Sequence, residues 1–523
     1  MRHILLGVVA LLFIYPAIAD GNPEISTCCQ IKEEYSKEDL IEIIKAHREF
    51  FRDKVFHPPD EEEAAGFNTR LYGAVLYELG DDAYLEETKD YLLQQAADDR
   101  YVDSGQDTFS IFYIYDAAKR GQAYLAIKDI PGLFTEGEKE AIENWFARIY
   151  EAFQAVGCKY DQMIHSGNGA IFGQILEGLH PDLARDVRNE ADENNEGIWA
   201  TGWRFPDESL HYAAHVYPAN AYAYVNYRPK LDRWGNESCR KTFQWIIEQW
   251  PPSGVSPGYG AMHIPSYIAP HPDIMACGAH IFKDIDPVLA GQCKFVANRM
   301  IREVNRRWPV TFSFNWANAS LPEYKNSLFQ ENGWGLSLWD DSIIPVSPKA
   351  GSVYIKSPYN WPWEQYLDRP DKMIFREGWE VDSLYAMVSL RGKDLGHYLK
   401  GANAIFMITY GVPFVVINGE NEEAARENLN CLLTGNSPDE TSTVGYFETL
   451  PRVDMGECSI SGHTRSCLLV KDKFFVVFDQ GAGALRWHLK GEDTWEGKKV
   501  SLTCIPHFQK RFCAIGPTRL FER

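Results

Sequence analysis

The spacing of apolar positions changes character once along this chain. From residue 36 to about residue 306, apolar residues recur every three or four positions, the period of a helix with one buried face. Ser36-Lys37-Glu38-Asp39 has the form of a capping box and precedes Leu40, Ile41, Ile43, Ile44, His47, Phe50 and Phe51, so a helix is predicted to start there. Thr135-Glu136-Gly137-Glu138 repeats the device ahead of Ala141, Ile142, Trp145, Phe146, Ile149, Tyr150 and Phe153. Further helices are predicted over 69–79, 83–97, 107–127, 168–178, 210–227, 239–249 and 286–306, joined by short Gly/Pro/Asp loops, with no fixed-length repeat.

Beyond about residue 330 the period falls to two. Leu384, Ala386, Val388 and Leu390 alternate with Tyr385, Met387 and Ser389, which predicts a half-buried strand. Arg391-Gly392-Lys393-Asp394 interrupts it, and 404–409 and 412–417 are apolar runs joined by Tyr410-Gly411. Residues 468–478 read as another tight hairpin. Helices first and strands afterwards imply segregated layers, not a βαβ sheet. The Pro-rich stretch 347–362 marks the passage between them, with a helical domain over 20–340 and a strand domain over 341–523.

Composition narrows the setting. Arg2-His3, an apolar run from Ile4 to Ile14 and Pro16-Ala17-Ile18-Ala19 form a signal peptide over 1–19, and those eleven apolar residues are too few to span a bilayer. A soluble, secreted protein is therefore expected. Eleven cysteines in an oxidising compartment predict disulfides, with at least one thiol left over. No Cys-x-x-Cys pair suggests zinc. Asn236-Glu-Ser and Asn318-Ala-Ser are glycosylation sequons. The net charge of −21 argues against nucleic acid or an anionic membrane surface as partner, and requires that any acidic ligand find a local basic cleft. Arg204, Arg228, Lys230, Lys393 and Lys400 are candidates to line it. Aromatics at 13% suit either sugar-stacking surfaces or ordinary cores.

The order of features in the strand region is a strand with Arg376 and Trp379, the turn Gly396-His397-Tyr398, the strand Asn403-Ala-Ile-Phe406, and the Gly411-Val-Pro413 hairpin. This order resembles the first sheet segment of heparinase II/III-like polysaccharide lyases. The resemblance implies an α+β multidomain fold: an N-terminal incomplete (α/α) toroid followed by a C-terminal antiparallel β-sandwich. It also implies β-elimination on a uronic-acid-containing polysaccharide, with no cofactor.

Three constellations carry the implied chemistry. In the first, His165-Ser-Gly-Asn168-Gly169 stands at a helix start, where free backbone N–H groups favour a carboxylate. The resemblance gives Asn168 the substrate carboxylate, with His165 as a binding residue. Gly169 replaces the aromatic residue or His often found there, and an N-cap with close-packing glycines reads equally from the residues alone.

The second runs from Gly202 through Arg204, Asp207-Glu208-Ser209, His211, Tyr212 and His215 to Tyr217. His211 and His215 share a helical face, but beyond Glu208 no acid has convincing spacing for a metal beside them. By resemblance this segment delivers the catalytic Tyr. The family's glycine is missing here, so both Tyr212 and Tyr217 stand as candidates, with His211 among the catalytic residues and Arg204, Glu208 and His215 binding substrate. A core aromatic helix is the structural alternative.

The third is His397 with Arg376, Arg391 and Asn403. The family's second His and its Asp are absent, so no metal is expected. His397 is assigned a catalytic role and Arg391 substrate binding. Tyr259, in the loop Gly258-Tyr259-Gly260, is a further binding candidate. The competing functions are a toroid glycoside hydrolase using Asp207 or Glu208 with Asp340 or Asp341, a uronyl epimerase, and a non-catalytic carbohydrate-binding protein.

Overall fold

The computed structural model describes residues 6–13, 31–52, 69–98, 111–156, 168–189, 237–255, 272–307, 312–316, 319–323, 334–357, 368–392, 401–416, 431–433, 441–481, 484–485, 492–496, 499–503 and 511–515. Its helices are α1 (Lys37–Arg52), α2 (Tyr72–Leu79), α3 (Leu85–Ala96), α4 (Ile111–Ile127), α5 (Glu136–Val156), α6 (Asn168–Leu176), α7 (Glu237–Gln249), α8 (Pro272–Phe282) and α9 (Pro287–Arg307). Both predicted capping boxes form. The Ser36 N–H donates to Asp39 Oδ2 at 3.0 Å while the Asp39 N–H donates back to Ser36 Oγ at 3.2 Å. The Thr135 N–H likewise donates to Glu138 Oε2 at 2.7 Å and the Glu138 N–H to Thr135 Oγ1 at 3.3 Å. Each pair satisfies N–H groups that have no partner inside the helix.

Helix α8 was not expected. Ten of its residues are buried, so it shows no alternation of apolar and polar faces, the signal on which sequence reading depends. Its start is nonetheless marked by Pro272 in the first turn, where a missing N–H costs nothing. No helix among the described residues is long and apolar enough to cross a membrane.

The strands are antiparallel. β1 (Leu6–Phe13) and the hairpin β2 (Phe312–Trp316) and β3 (Ala319–Glu323) precede a five-stranded sheet. That sheet contains β4 (Val353–Lys356), β5 (Pro370–Arg376), β6 (Leu384–Ser389), β7 (Ala404–Tyr410) and β8 (Val412–Val416), paired in chain order. Gly411, with φ of +70°, makes the reversal between β7 and β8 that a side chain would strain. β9 (Leu432–Leu433) is followed by β10 (Thr443–Thr449), β11 (Val453–Ile460), β12 (His463–Val470) and β13 (Phe474–Gly481). β14 (Ala484–Leu485), β15 (Glu492–Glu496), β16 (Lys499–Thr503) and β17 (Arg511–Ile515) complete the described strands. An eight-stranded sheet has the order β10-β11-β12-β13-β1-β17-β16-β15. The apolar run read as a leader is thus laid between β13 and β17, since such a run meets the needs of a strand as readily as those of a leader.

The helices pack against one face of the five-stranded sheet and β10–β13 against the other. Ile374, Tyr385, Met387 and Phe406 join one buried cluster with the helical residues. Met373, Phe375, Leu384, Ala386, Val388 and Ile408 join a second with Cys458, Cys467, Leu469, Phe475 and Val477. The strand expected to be half-buried is therefore buried along its whole length, from Leu384 to Ser389. Its two alternating faces meet two different layers.

The predicted disulfides are not found among the described residues. Cys239, Cys277, Cys293, Cys431, Cys458 and Cys467 are buried and stand outside any disulfide. They fill core positions as small apolar side chains. Burial pushes the Cys467 thiol up to about 12, which keeps it protonated and unreactive.

Candidate active site

Most of the predicted site falls outside the described residues: His165, Arg204, Glu208, His211, Tyr212, His215, Tyr217, Tyr259 and His397, with the sequons at Asn236 and Asn318. Asn168 is described through its backbone and opens α6, the position expected of it. Arg391 is described fully, and the surface around it is the part of the site that can be built from atoms.

The period of two in β5 and β6 builds that surface. Lys372, Ile374 and Arg376 share one face of β5, and Tyr385, Met387 and Ser389 share the matching face of β6, which Arg391 continues. Ile374 pairs with Met387 at the centre, and both belong to the cluster shared with the helices, so this face looks toward the helical layer. Polar residues gather at its two ends, and the ends differ in what they do.

At one end Arg376 pairs with Tyr385 in the register. The Arg376 guanidinium donates to the carbonyl oxygens of Glu248 and Trp250, the latter at 2.9 Å, and the Tyr385 hydroxyl donates to the carbonyl of Gln249. These carbonyls close α7, where the helix has no bonds of its own to offer them and the dipole favours a cation. Arg376, grouped with His397 in the sequence reading, thus joins the helical layer to the sheet. Burial pushes its guanidinium down to about 10, so it stays charged at neutral pH.

At the other end Lys372 pairs with Ser389, and Arg391 lies two residues beyond. All three are buried. Lys372 Nζ donates to both Asp371 oxygens, at 2.9 and 2.8 Å, and the Trp245 indole N–H of α7 donates to Asp371 Oδ2 at 2.7 Å. Lys372 also stands 4.6 Å from the centre of the Trp245 ring. Burial lowers the Lys372 pKa while Asp371 opposes that fall. Residues 393–400 connect this end of β6 to β7, and Gly401 begins the return. A side chain there would meet the Phe406 ring at 2.5 Å and Ser389 Oγ at 3.0 Å. Sequence reasoning found Arg391 and missed Lys372 and Ser389. Counting by twos along β5 and β6 places all three on one face.

Asn403 has a structural task. It adopts φ of 60° and donates through Nδ2 to the carbonyls of His463 (3.1 Å) and Cys458 (3.3 Å), while Arg465 Nη1 donates to the Asn403 carbonyl at 2.6 Å. Arg465 in turn grips Asp479 with two bonds of 2.8 and 2.9 Å, and His463 Nε2 lies 2.7 Å from the same carboxylate. Burial alone would raise the Asp479 pKa, but Arg465 and His463 together hold it down at about 2. This network ties the start of β7 to β12 and β13.

Of the acids considered for a hydrolase, Asp207 and Glu208 lie outside the described residues, and Asp340 and Asp341 are occupied. The Ser342 hydroxyl, with help from Lys283, holds the Asp340 carboxyl down at about 2, too acidic to protonate a leaving group near neutral pH. Both Asp341 oxygens accept from the Lys37 N–H at 3.2 Å and so cap α1. Among the described residues, no group of three or more His, Cys, Asp or Glu side chains could hold a metal ion.

No protein-family profile matches this chain, and no curated protein matches it. Among solved structures it is similar to the heparan sulfate lyase HepC from Pedobacter heparinus, at 13% identity and a TM-score of 0.46, covering 88% of this chain and 75% of that one. A mutant of the same lyase is similar at 12% identity and a TM-score of 0.35, covering 90% of this chain and 91% of that one. A heparinase III is similar at 12% identity and a TM-score of 0.32, covering 95% and 91%. The likeness is distant.

Proposed function

We propose that this chain is a secreted polysaccharide lyase that cleaves a uronic-acid-containing polysaccharide by β-elimination, in a cleft between an incomplete (α/α) toroid and an antiparallel β-sandwich. One observation carries the reading: two cations, Lys372 and Arg391, share the end of the sheet face that looks toward the helices. Lys372 is ion-paired with Asp371, so in a chain of net charge −21 Arg391 is the cation at that junction that an acidic sugar would need.

The chemistry follows from the weak acidity of the C5 proton of a uronate. Asn168, with His165 or Arg204, neutralises the substrate carboxylate so that charge building up on it is tolerable. Tyr217 or Tyr212 takes the C5 proton. The electron pair of that C–H bond forms the C4–C5 double bond, the C4–O4 bond breaks, and His397 protonates the departing O4. A phenol serves as base only with its pKa lowered by nearby positive charge, the part given to His211, His215 or an arginine. Arg391, with Glu208 and Tyr259, holds the sugar in register.

Incubation with alginate, glucuronan, ulvan and glycosaminoglycans tests this directly. Ultraviolet absorbance should rise as the unsaturated uronide forms. New reducing ends without that absorbance would replace the lyase by a hydrolase, and no product from any polymer would end the enzymatic reading. On the polymer that is cut, Tyr217→Phe or Tyr212→Phe, and His397→Ala, should each lower kcat by roughly 10² to 10⁴. Arg391→Ala should lower kcat/KM by roughly tenfold to a hundredfold, the cost of one hydrogen bond to a charged group.

A further inference from the structure

The sheet layer turned away from the helices carries a second arrangement. β10–β13 bury one face, through Cys458, Cys467, Val477 and Phe475, against the five-stranded sheet. Residues of the opposite parity face outward. Across the four strands the register aligns Tyr446 with Glu457, Glu457 with Ser466, and Ser466 with Phe478, a single straight row. Tyr446 is 39% exposed and Phe478 is 37% exposed, although large aromatic side chains are ordinarily covered. Three interstrand steps of about 4.8 Å put the two strand positions roughly 14 Å apart. Between them Ser466 Oγ donates to Glu457 Oε2 at 2.9 Å, and the Tyr446 hydroxyl is hydrogen-bonded to Ser466.

We propose that this row binds a neutral, hydroxyl-rich glycan chain laid across the four strands, at a site separate from the cleft of the proposed lyase. The two exposed rings offer flat apolar faces for the C–H faces of sugar rings. Glu457 and Ser466, set between them, can accept from sugar hydroxyls, the arrangement of a few placed polar groups among apolar ones that marks a ligand site. Charge decides the class of sugar. In this row and the rows on either side the charged side chains are Glu448 and Glu457, both acidic, so a sulfated or carboxylated chain would be repelled while a neutral one is not. The site would hold a neutral partner of the substrate in a mixed matrix and keep the cleft close to its polymer.

Affinity electrophoresis of the full chain in gels containing a soluble β-glucan, a mannan or a galactan tests the inference without reference to turnover. The chain should be retarded by at least one of the three, and the retardation should persist when the salt concentration is raised. Tyr446→Ala and Phe478→Ala should each weaken it by roughly threefold to tenfold, with melting temperatures unchanged because both side chains are exposed. Free migration in all three gels would overturn the proposal, as would equal retardation of the double variant Tyr446→Ala/Phe478→Ala. So would stronger retardation by a sulfated polymer that the same double variant abolishes. Self-association of the unsubstituted chain in sedimentation, lost in the double variant, would assign the face to a second copy instead.

Discussion

The five-stranded sheet and the β10–β13 portion of its neighbour are written in the same period of two, yet they end in different surroundings. Every position of β6 is buried, whereas β12 alternates between buried and partly exposed along its length. The difference lies in what covers the second face. Helix α7 lies over one sheet, through Trp245 and the Trp250 carbonyl just past its end, while no described element covers the outward row from Tyr446 to Phe478. Alternation therefore reports that a strand has two unlike faces, and leaves open how many layers will be stacked on it.

Substitution of matched aromatic residues should break the two sheets apart most clearly. Phe375 is buried on β5 with ring centroids 5.2 Å from Phe475 and 5.6 Å from Phe447, so it sits where the two sheets meet. Phe375→Ala should cost about 3–5 kcal/mol in chemical denaturation, and Phe478→Ala less than about 0.5 kcal/mol. Comparable losses would mean that the outward face is covered.

Next in size is the buried ion pair between β12 and β13, whose Arg465 also reaches the Asn403 carbonyl of the neighbouring sheet. Asp479→Asn leaves Arg465 buried without its charge partner and should cost about 3 kcal/mol at neutral pH. Its pH dependence has a definite sign. The Asp479 pKa is held at about 2, below the ordinary carboxylate value near 4, so the folded state favours the charged form. The stabilisation is complete above the unfolded pKa and is lost as pH falls through the folded one. Stability of the unsubstituted chain should decline between about pH 4 and pH 2, and the Asp479→Asn variant should show a flatter acid limb. Parallel acid limbs would place the proton uptake elsewhere. The smallest effect belongs to the helices, where Thr135→Ala removes one cap and should cost about 1 kcal/mol.

The parts legible in the sequence share a physical feature: each is specified by residues close together in the chain. Ser36 with Asp39 and Thr135 with Glu138 announce helix starts because a capping box closes within one turn. The hairpin at Gly411 is read from a single residue pair. Helix α8 escapes because burial on all sides removes its period. In the site, Arg391 was found and Lys372 was not, although both follow from the same parity, because Lys372 lies beside Asp371 and reads locally as a solvated pair. Arg376 and Asn403 were grouped with chemistry because their partners, the Trp250 carbonyl at the end of α7 and Arg465 of the Arg465–Asp479 pair, lie 126 and 62 residues away, respectively.

The sequence by itself determined where the capped helices begin, that most helices come before most strands, and which side chains share a face. Hydrogen-bonding reach within a turn and the geometry of the pleat settle those things locally. Only the tertiary structure decided that the inner sheet is covered twice, that Arg376 closes a helix, and that Lys372 and Arg391 face the helical layer. Those outcomes depend on layers meeting across long stretches of chain, where burial and charge are settled by whichever distant surface arrives.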